Sequence, residues 1–221
     1  MPRIARAVVP KYPHHVTQRG TNKSAIFIDD EDRMYFLKLT DKWADKSVSK
    51  VWAYCLMNNH FHLLVAPYGL GGLGKLLHGL TFRYAQYFNN KYARTGRLWQ
   101  NRYFSCTVDK DEYLWSVAKY IEMNPVRARI VKKPEEWRWS SALAHMKAKG
   151  DCDIKLYEWL SDEERKSYVD FLVTSSDEEK IRKATSTGRP LCGERFLNKL
   201  KTILNRDLKP RKGGRPRKEK T

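Results

Sequence analysis

The stretch at 50–67, KVWAYCLMNNHFHLLVAP, constrains the fold most. KVWAYCLM and HFHLLVAP each read as a strand, rich in β-branched and aromatic residues. Only Asn58 and Asn59 separate them, and asparagine tolerates turn conformations, so the two strands close a tight hairpin. On the second strand the side-chain period of two puts His60, His62 and Leu64 on one face. Phe61, Leu63 and Val65 take the other. The hairpin therefore carries two imidazoles side by side. Two imidazoles on a rigid strand can chelate one divalent ion, or they can be two buried, hydrogen-bonded histidines. The pair by itself does not choose, because two ligands do not make a site.

Around the hairpin the pattern alternates. HHVTQRG (14–20) reads as a strand ending in turn-forming residues. Residues 29–46 read as a helix, with acidic residues in its first turn and Tyr35, Phe36, Leu39 and Trp43 at helical spacing. Residues 73–92 form a second amphipathic helix through Leu73, Leu76, Leu77, Leu80, Tyr84 and Phe88. GRLWQNRYFSCTVD (96–109) reads as a further strand, and 111–124 as a third helix stopped by Pro125. The strand–helix–strand–strand–helix–strand order predicts an α+β, ferredoxin-like (βαββαβ) antiparallel sheet with packed helices. Past about residue 150 the composition becomes charged and helical, and it ends in the basic KPRKGGRPRKEKT. That tail, 209–221, has almost nothing to bury and is expected to be disordered.

The chain has 221 residues and a formal net charge of +18. A charge of that size points to polyanionic partners, above all nucleic acid. No apolar run reaches the ~20 residues a membrane-spanning helix needs, so no membrane partner is expected. The first 15 residues lack the apolar core of a signal peptide, and the four cysteines show no paired spacing. A cytoplasmic chain with reduced thiols is expected.

A third ligand for the histidines is available in YIEMN. Tyr120 and Asn124 lie four residues apart, on one helical face. The carboxamide oxygen of Asn124 is a hard ligand that suits Mg²⁺ or Mn²⁺. Tyr120, one turn away, could deliver a phenolate oxygen to a polarised phosphate. Asn124 precedes Pro125, a position that disfavours helical angles, so a frayed last turn is expected there.

His60-Phe61-His62 and Y-x-x-x-N-P-V-R-A (120–128), together with HVTQRG and GRLWQNRYF, resemble the single-tyrosine transposases with a histidine–hydrophobe–histidine (HUH) motif. More narrowly, they resemble the REP-associated tyrosine transposases of bacteria. The resemblance covers about residues 12–145, and TGRPLCGERFLNKL and KGGRPRK resemble the tail of some members. Many relatives carry proline where Asn58 stands, and glycine where Arg129 stands.

The resemblance implies that His60 and His62 are metal ligands, Asn124 the third ligand and Tyr120 the nucleophile. It implies Mg²⁺ or Mn²⁺ as cofactor and cleavage and rejoining of single-stranded DNA at REP-like hairpins through a 5′-phosphotyrosine. It divides the chain into a catalytic domain (1–147), a helical C-terminal extension (148–208) and the basic tail (209–221). A monomer or a homodimer fits, in a bacterial, nucleoid-associated setting.

Basic residues interleaved with aromatics suit single strands. Arg19, Arg83, Lys91, Arg94, Arg102 and Arg127, with Tyr84, Tyr87, Trp99 and Tyr103, are the candidate DNA contacts, and Arg215 and Arg217 belong to the tail. Lys119 or Arg127 could favour the phenolate of Tyr120. Two other readings stay open: a non-catalytic DNA- or RNA-binding protein on an RRM-type sheet, and a replication initiator or relaxase of the same chemistry.

Overall fold

The computed structural model describes residues 6–69, 71–147, 153–174 and 177–208. The basic tail, with Arg215 and Arg217, lies outside them. Four strands form one sheet: β1 (His14–Arg19), β2 (Ser49–Met57), β3 (His60–Pro67) and β4 (Phe104–Thr107). Their spatial order is β2-β3-β1-β4 and every neighbouring pair is antiparallel, the ferredoxin-like arrangement. The hairpin closes at Met57 and His60, with Asn58 and Asn59 as its turn. Neither asparagine takes a positive φ. The turn is held instead by its neighbours: the Asn58 carbonyl accepts from the Ile26 and Phe27 amides, and the Asn59 carbonyl from that of Gly20.

One sheet face is covered by α1 (Asp30–Lys46) and α2 (Gly72–Lys91). Their stripes pack Phe36, Leu37, Leu76, Leu77, Leu80, Tyr84 and Phe88 against Val16, Leu56, Phe61, Leu63 and Val65. Asp29 caps α1 by accepting from the Asp32 amide in a reciprocal capping box. Gly79 lets the two helices meet: a Cβ there would lie 2.2 Å from the Trp43 ring.

The other face is covered by α3 (Lys110–Glu122), by α6 (Asp162–Leu172) and by α7 (Glu178–Thr187). Val117, Tyr120, Ile121, Tyr168, Leu172, Ile181 and Ala184 pack there against Ala53, Cys55, Leu64 and Cys106. With both faces covered, the sheet offers no open aromatic platform of the RRM kind. A smaller cluster joins Ala7 and Val9 to Phe196 and Leu200 of α8 (Glu194–Leu204).

Two local expectations are corrected. The strand expected over 96–109 is a strand only over Phe104–Thr107. Gly96 has φ 86°, and the following residues wrap the sheet end, burying Leu98 and tying the Trp99 indole to the Thr81 carbonyl at 2.9 Å. The helix expected over 111–124 ends at Glu122, and a separate turn, α4 (Asn124–Arg127), follows, with a short helix α5 (Ala142–Met146) after it.

Candidate active site

The break after α3 shapes the site. Pro125 has no N–H to give the Ile121 carbonyl. The Asn124 side chain fills that gap: its Nδ2 donates to the Tyr120 carbonyl at 2.9 Å and to that of Ile121 at 3.2 Å. Oδ1 takes no part in these bonds. Asn124 is thus helical rather than frayed, and it is held one turn from Tyr120. The turn closes at Arg129, whose φ of 57° lies in the left-handed region that glycine occupies without strain.

A cleft of about 470 Å³ opens where β1, β3, β4, α3 and α7 meet. It is lined by His15, Thr17, Arg19, His60, His62, Tyr120, Asn124 and Arg182, among others. The register explains the convergence. Thr17 pairs with His62 and Arg19 with His60 across antiparallel strands, so these side chains share a face with His15. The Tyr120 ring meets the edges of His15 and His62, with centroids 5.5 and 5.8 Å away. Tyr120 is 7% exposed.

The histidine nitrogens are not equivalent. The Asn59 Nδ2 donates to the Lys23 carbonyl at 3.0 Å, which orients that amide. Its Oδ1 then accepts from His60 Nδ1 at 2.7 Å, leaving His60 Nε2 with its lone pair. His62 Nδ1 lies 2.9 Å from His15 Nε2. Burial, with Arg19 nearby, lowers the His60 pKa to about 4. Burial, aided by Arg127, lowers His15 to about 3. His62 is held well below the ordinary value by burial and by His60, His15, Arg127 and Arg19. All three rings are therefore neutral near pH 7, the form that ligates metal.

Arg127 lies against Tyr120. Its guanidinium is 4.3 Å from the ring centroid and donates to the Tyr120 carbonyl at 2.8 Å, while it pairs with Glu178 of α7 at 3.1 Å. Lys119 does not serve the phenol. Its ammonium donates to the Phe171 and Thr174 carbonyls at the end of α6, at 2.8 and 2.6 Å, where a helix terminus favours a cation.

Among the DNA-contact candidates, Arg19 and Arg127 belong to the cleft region. Arg83 lies exposed on α2, and Arg94 and Arg102 lie exposed on the α2–β4 connection. The Lys91 charge is neutralised by Asp29, Glu31 and Asp32 at 2.8, 2.8 and 3.1 Å. Tyr84 is fully buried, its hydroxyl on the Ile26 carbonyl, and Tyr87 stacks on Tyr35.

Sequence reasoning missed His15, Arg182 and Thr185. The HH doublet opening β1 was a signal, since alternation puts His15 on the face of Thr17 and Arg19. Nothing local announced the two α7 residues.

Among the described residues, no group of three or more His, Cys, Asp or Glu side chains is arranged to hold a metal ion. A divalent ion here would rest on two imidazoles and an amide. The donor set can hold a divalent ion: His60 Nε2 and Asn124 Oδ1 are left over once their neighbouring atoms are hydrogen-bonded, and of these donors the carbonyl oxygen is the one that suits Mn²⁺ or Mg²⁺.

The family model described as "Transposase IS200 like" matches residues 8–124. The chain belongs to the IS200-like transposase family. The match ends on Asn124 and includes both histidines and Tyr120. Among solved structures, the fold of this transposase is similar to that of a REP-associated tyrosine transposase solved bound to a REP hairpin. The TM-score is 0.53 at 17% identity, covering 73% of this chain and 93% of that one. A putative transposase from Deinococcus radiodurans R1 also matches, with TM-score 0.37 and 18% identity over 62% of this chain and 98% of that one. A search of curated proteins finds no match. No helix among the described residues is long and apolar enough to cross a membrane.

Proposed function

We propose that this transposase cuts and rejoins single-stranded DNA at hairpins of the REP type, with Tyr120 as nucleophile and His60, His62 and Asn124 holding Mg²⁺ or Mn²⁺. The observation that carries this reading is the convergence of these four side chains in one basic cleft. When bound, the divalent ion supplies Lewis-acid polarisation of the scissile phosphate. Tyr120 Oη attacks phosphorus, forming the tyrosyl O–P bond as the P–O3′ bond breaks. The departing 3′ oxygen takes up a proton, and the phenol proton is released. The products are a 5′-phosphotyrosine and a free 3′-OH, and the bond energy is retained for rejoining by another 3′-OH.

Arg127 steadies the tyrosine through its ring and its carbonyl. Arg19 and Arg182 line the cleft and suit phosphates flanking the cut. The net charge of +18 supplies non-specific attraction to the rest of the strand. The hairpin preference is taken from the REP hairpin bound by the similar structure. A bacterial cytoplasmic, nucleoid-associated location goes with that substrate.

The test is incubation with a labelled single-stranded hairpin bearing flanking single strands, in Mg²⁺. A denaturant-resistant protein–DNA adduct is expected, absent in Tyr120→Phe and in EDTA. Tight hairpin binding with no adduct under any metal would instead support a binding protein.

A further inference from the structure

The hydrogen-bond chain behind His62 runs into the C-terminal segment. Thr185 of α7 is buried, and its Oγ1 lies 2.9 Å from the Ile181 carbonyl, 2.8 Å from His15 Nδ1 and 3.4 Å from Cys106 Sγ. A hydroxyl has one proton. The Ile181 carbonyl can only accept, and it takes that proton in the back-bond that threonine makes to residue i−4 in a helix. Thr185 Oγ1 then accepts from His15 Nδ1–H. Neutral His15 keeps its lone pair on Nε2, so His62 Nδ1–H must donate to it across 2.9 Å. The two rings are tilted by only 13° with centroids 5.1 Å apart, which suits an in-line N–H···N bond between coplanar rings. The proton on His62 is thereby fixed to Nδ1 and the lone pair to Nε2. His60 reaches the same state through Asn59.

We propose that Thr185 and His15 are positioning residues that lock His62 in the Nδ1–H tautomer, so that α7 of the C-terminal segment sets the state of the active-site strand. The reverse chain, with Thr185 donating to His15, would put the His62 proton on Nε2 and block that nitrogen as a ligand. The consequence for metal rests on the metal-site reading above. The tautomer itself belongs to the metal-free protein. Metal ligands of this kind characteristically depend on the partner of their second ring nitrogen, whose loss costs about 10–100-fold in affinity.

The test is side-chain ¹H–¹⁵N NMR of the full-length, metal-free protein with labelled histidine near pH 7, followed by Mn²⁺ titration. In the wild type, His62 is expected with a protonated Nδ1 and an unprotonated Nε2. Thr185→Val is close in shape but cannot accept, and it should shift His62 toward the other tautomer and weaken Mn²⁺ binding at least tenfold. Thr185→Ser should restore both. His15→Gln, whose amide oxygen can accept from His62, should hold the wild-type tautomer, which keeps the test decisive if the valine variant fails to fold. A wild-type His62 protonated on Nε2 overturns the proposal, as does a folded Thr185→Val with unchanged tautomer and unchanged Mn²⁺ affinity. The expected tautomers without any Mn²⁺ binding by the wild type would uphold the relay and overturn the metal reading.

Discussion

Asn124 performs two jobs with two atoms. Its Nδ2 donates to the Ile121 carbonyl that Pro125 cannot serve and to that of Tyr120, and Oδ1 is the atom the proposed metal would take. Asn124→Asp separates these jobs. The carboxylate keeps the ligating oxygen but loses both donors, so thermal unfolding should show a loss of about 1–2 kcal/mol while Mn²⁺ still binds. Arg129 gives a second test of the same turn. It stands at φ 57° where many relatives of the family it resembles carry glycine. Arg129→Gly should therefore stabilise the protein by roughly 0.5–1 kcal/mol in urea unfolding, since it relieves a conformation that disfavours a Cβ. That His60 shares a face with His62, and Tyr120 with Asn124, was legible because each pair is local, at spacings of two on a strand and four on a helix. His15 was not, because its meeting with His62 depends on β1 pairing with β3 across 47 residues.

The helix that carries Tyr120 is anchored from behind. Glu122 is fully buried on α3, two residues past Tyr120, and accepts from the Ser141 hydroxyl at 2.6 Å, the Tyr168 hydroxyl at 2.8 Å and His145 Nδ1 at 2.5 Å. The Trp159 indole donates to His145 Nε2, so the imidazole presents Nδ1–H to the carboxylate. Three donors, two from residues 141–145 and one from α6, thus converge on one carboxylate. Glu122→Ala leaves all three buried without it, and a loss of about 3 kcal/mol or more is expected in denaturant unfolding. A near-neutral effect would show that α3 is held by apolar packing alone. At this scale the elements around the hairpin followed from periodicity. The 96–109 strand did not, because only an isolated bridge between Trp99 and Gly20 continues the pairing before β4, while Leu98 and Trp99 turn into the first core at the sheet end. The end of α3 moved because a side chain can stand in for a missing backbone donor.

Across the whole molecule, α6 and α7 contribute buried side chains to the second core. Tyr168, Leu172, Ile181 and Ala184 lie beneath the sheet, and Thr185 reaches the histidines. The charged composition of these helices hid this, since only a few positions per helix face inward and their partners lie 46 to 170 residues away. Burial also couples the fold to pH. Burial lowers the pKa of His14 to about 4, and those of His15 and His60 to about 3 and about 4. These rings are neutral when folded but take up protons when unfolded below about pH 6.5. Stability therefore falls as pH drops from about 6.5 toward 4. Urea unfolding across that range should show it, with a shallower slope in His14→Gln.

The central claim is that one phenol, facing two histidines and an amide, makes the covalent bond to DNA. Its most direct measurement is to trap the adduct on a hairpin substrate, digest both components and locate the nucleotide by mass spectrometry. The account predicts a 5′-phosphonucleotide on Tyr120 alone, with a free 3′-OH on the released strand. A nucleotide on another residue, or cleavage that leaves no covalent protein–DNA species, would contradict it.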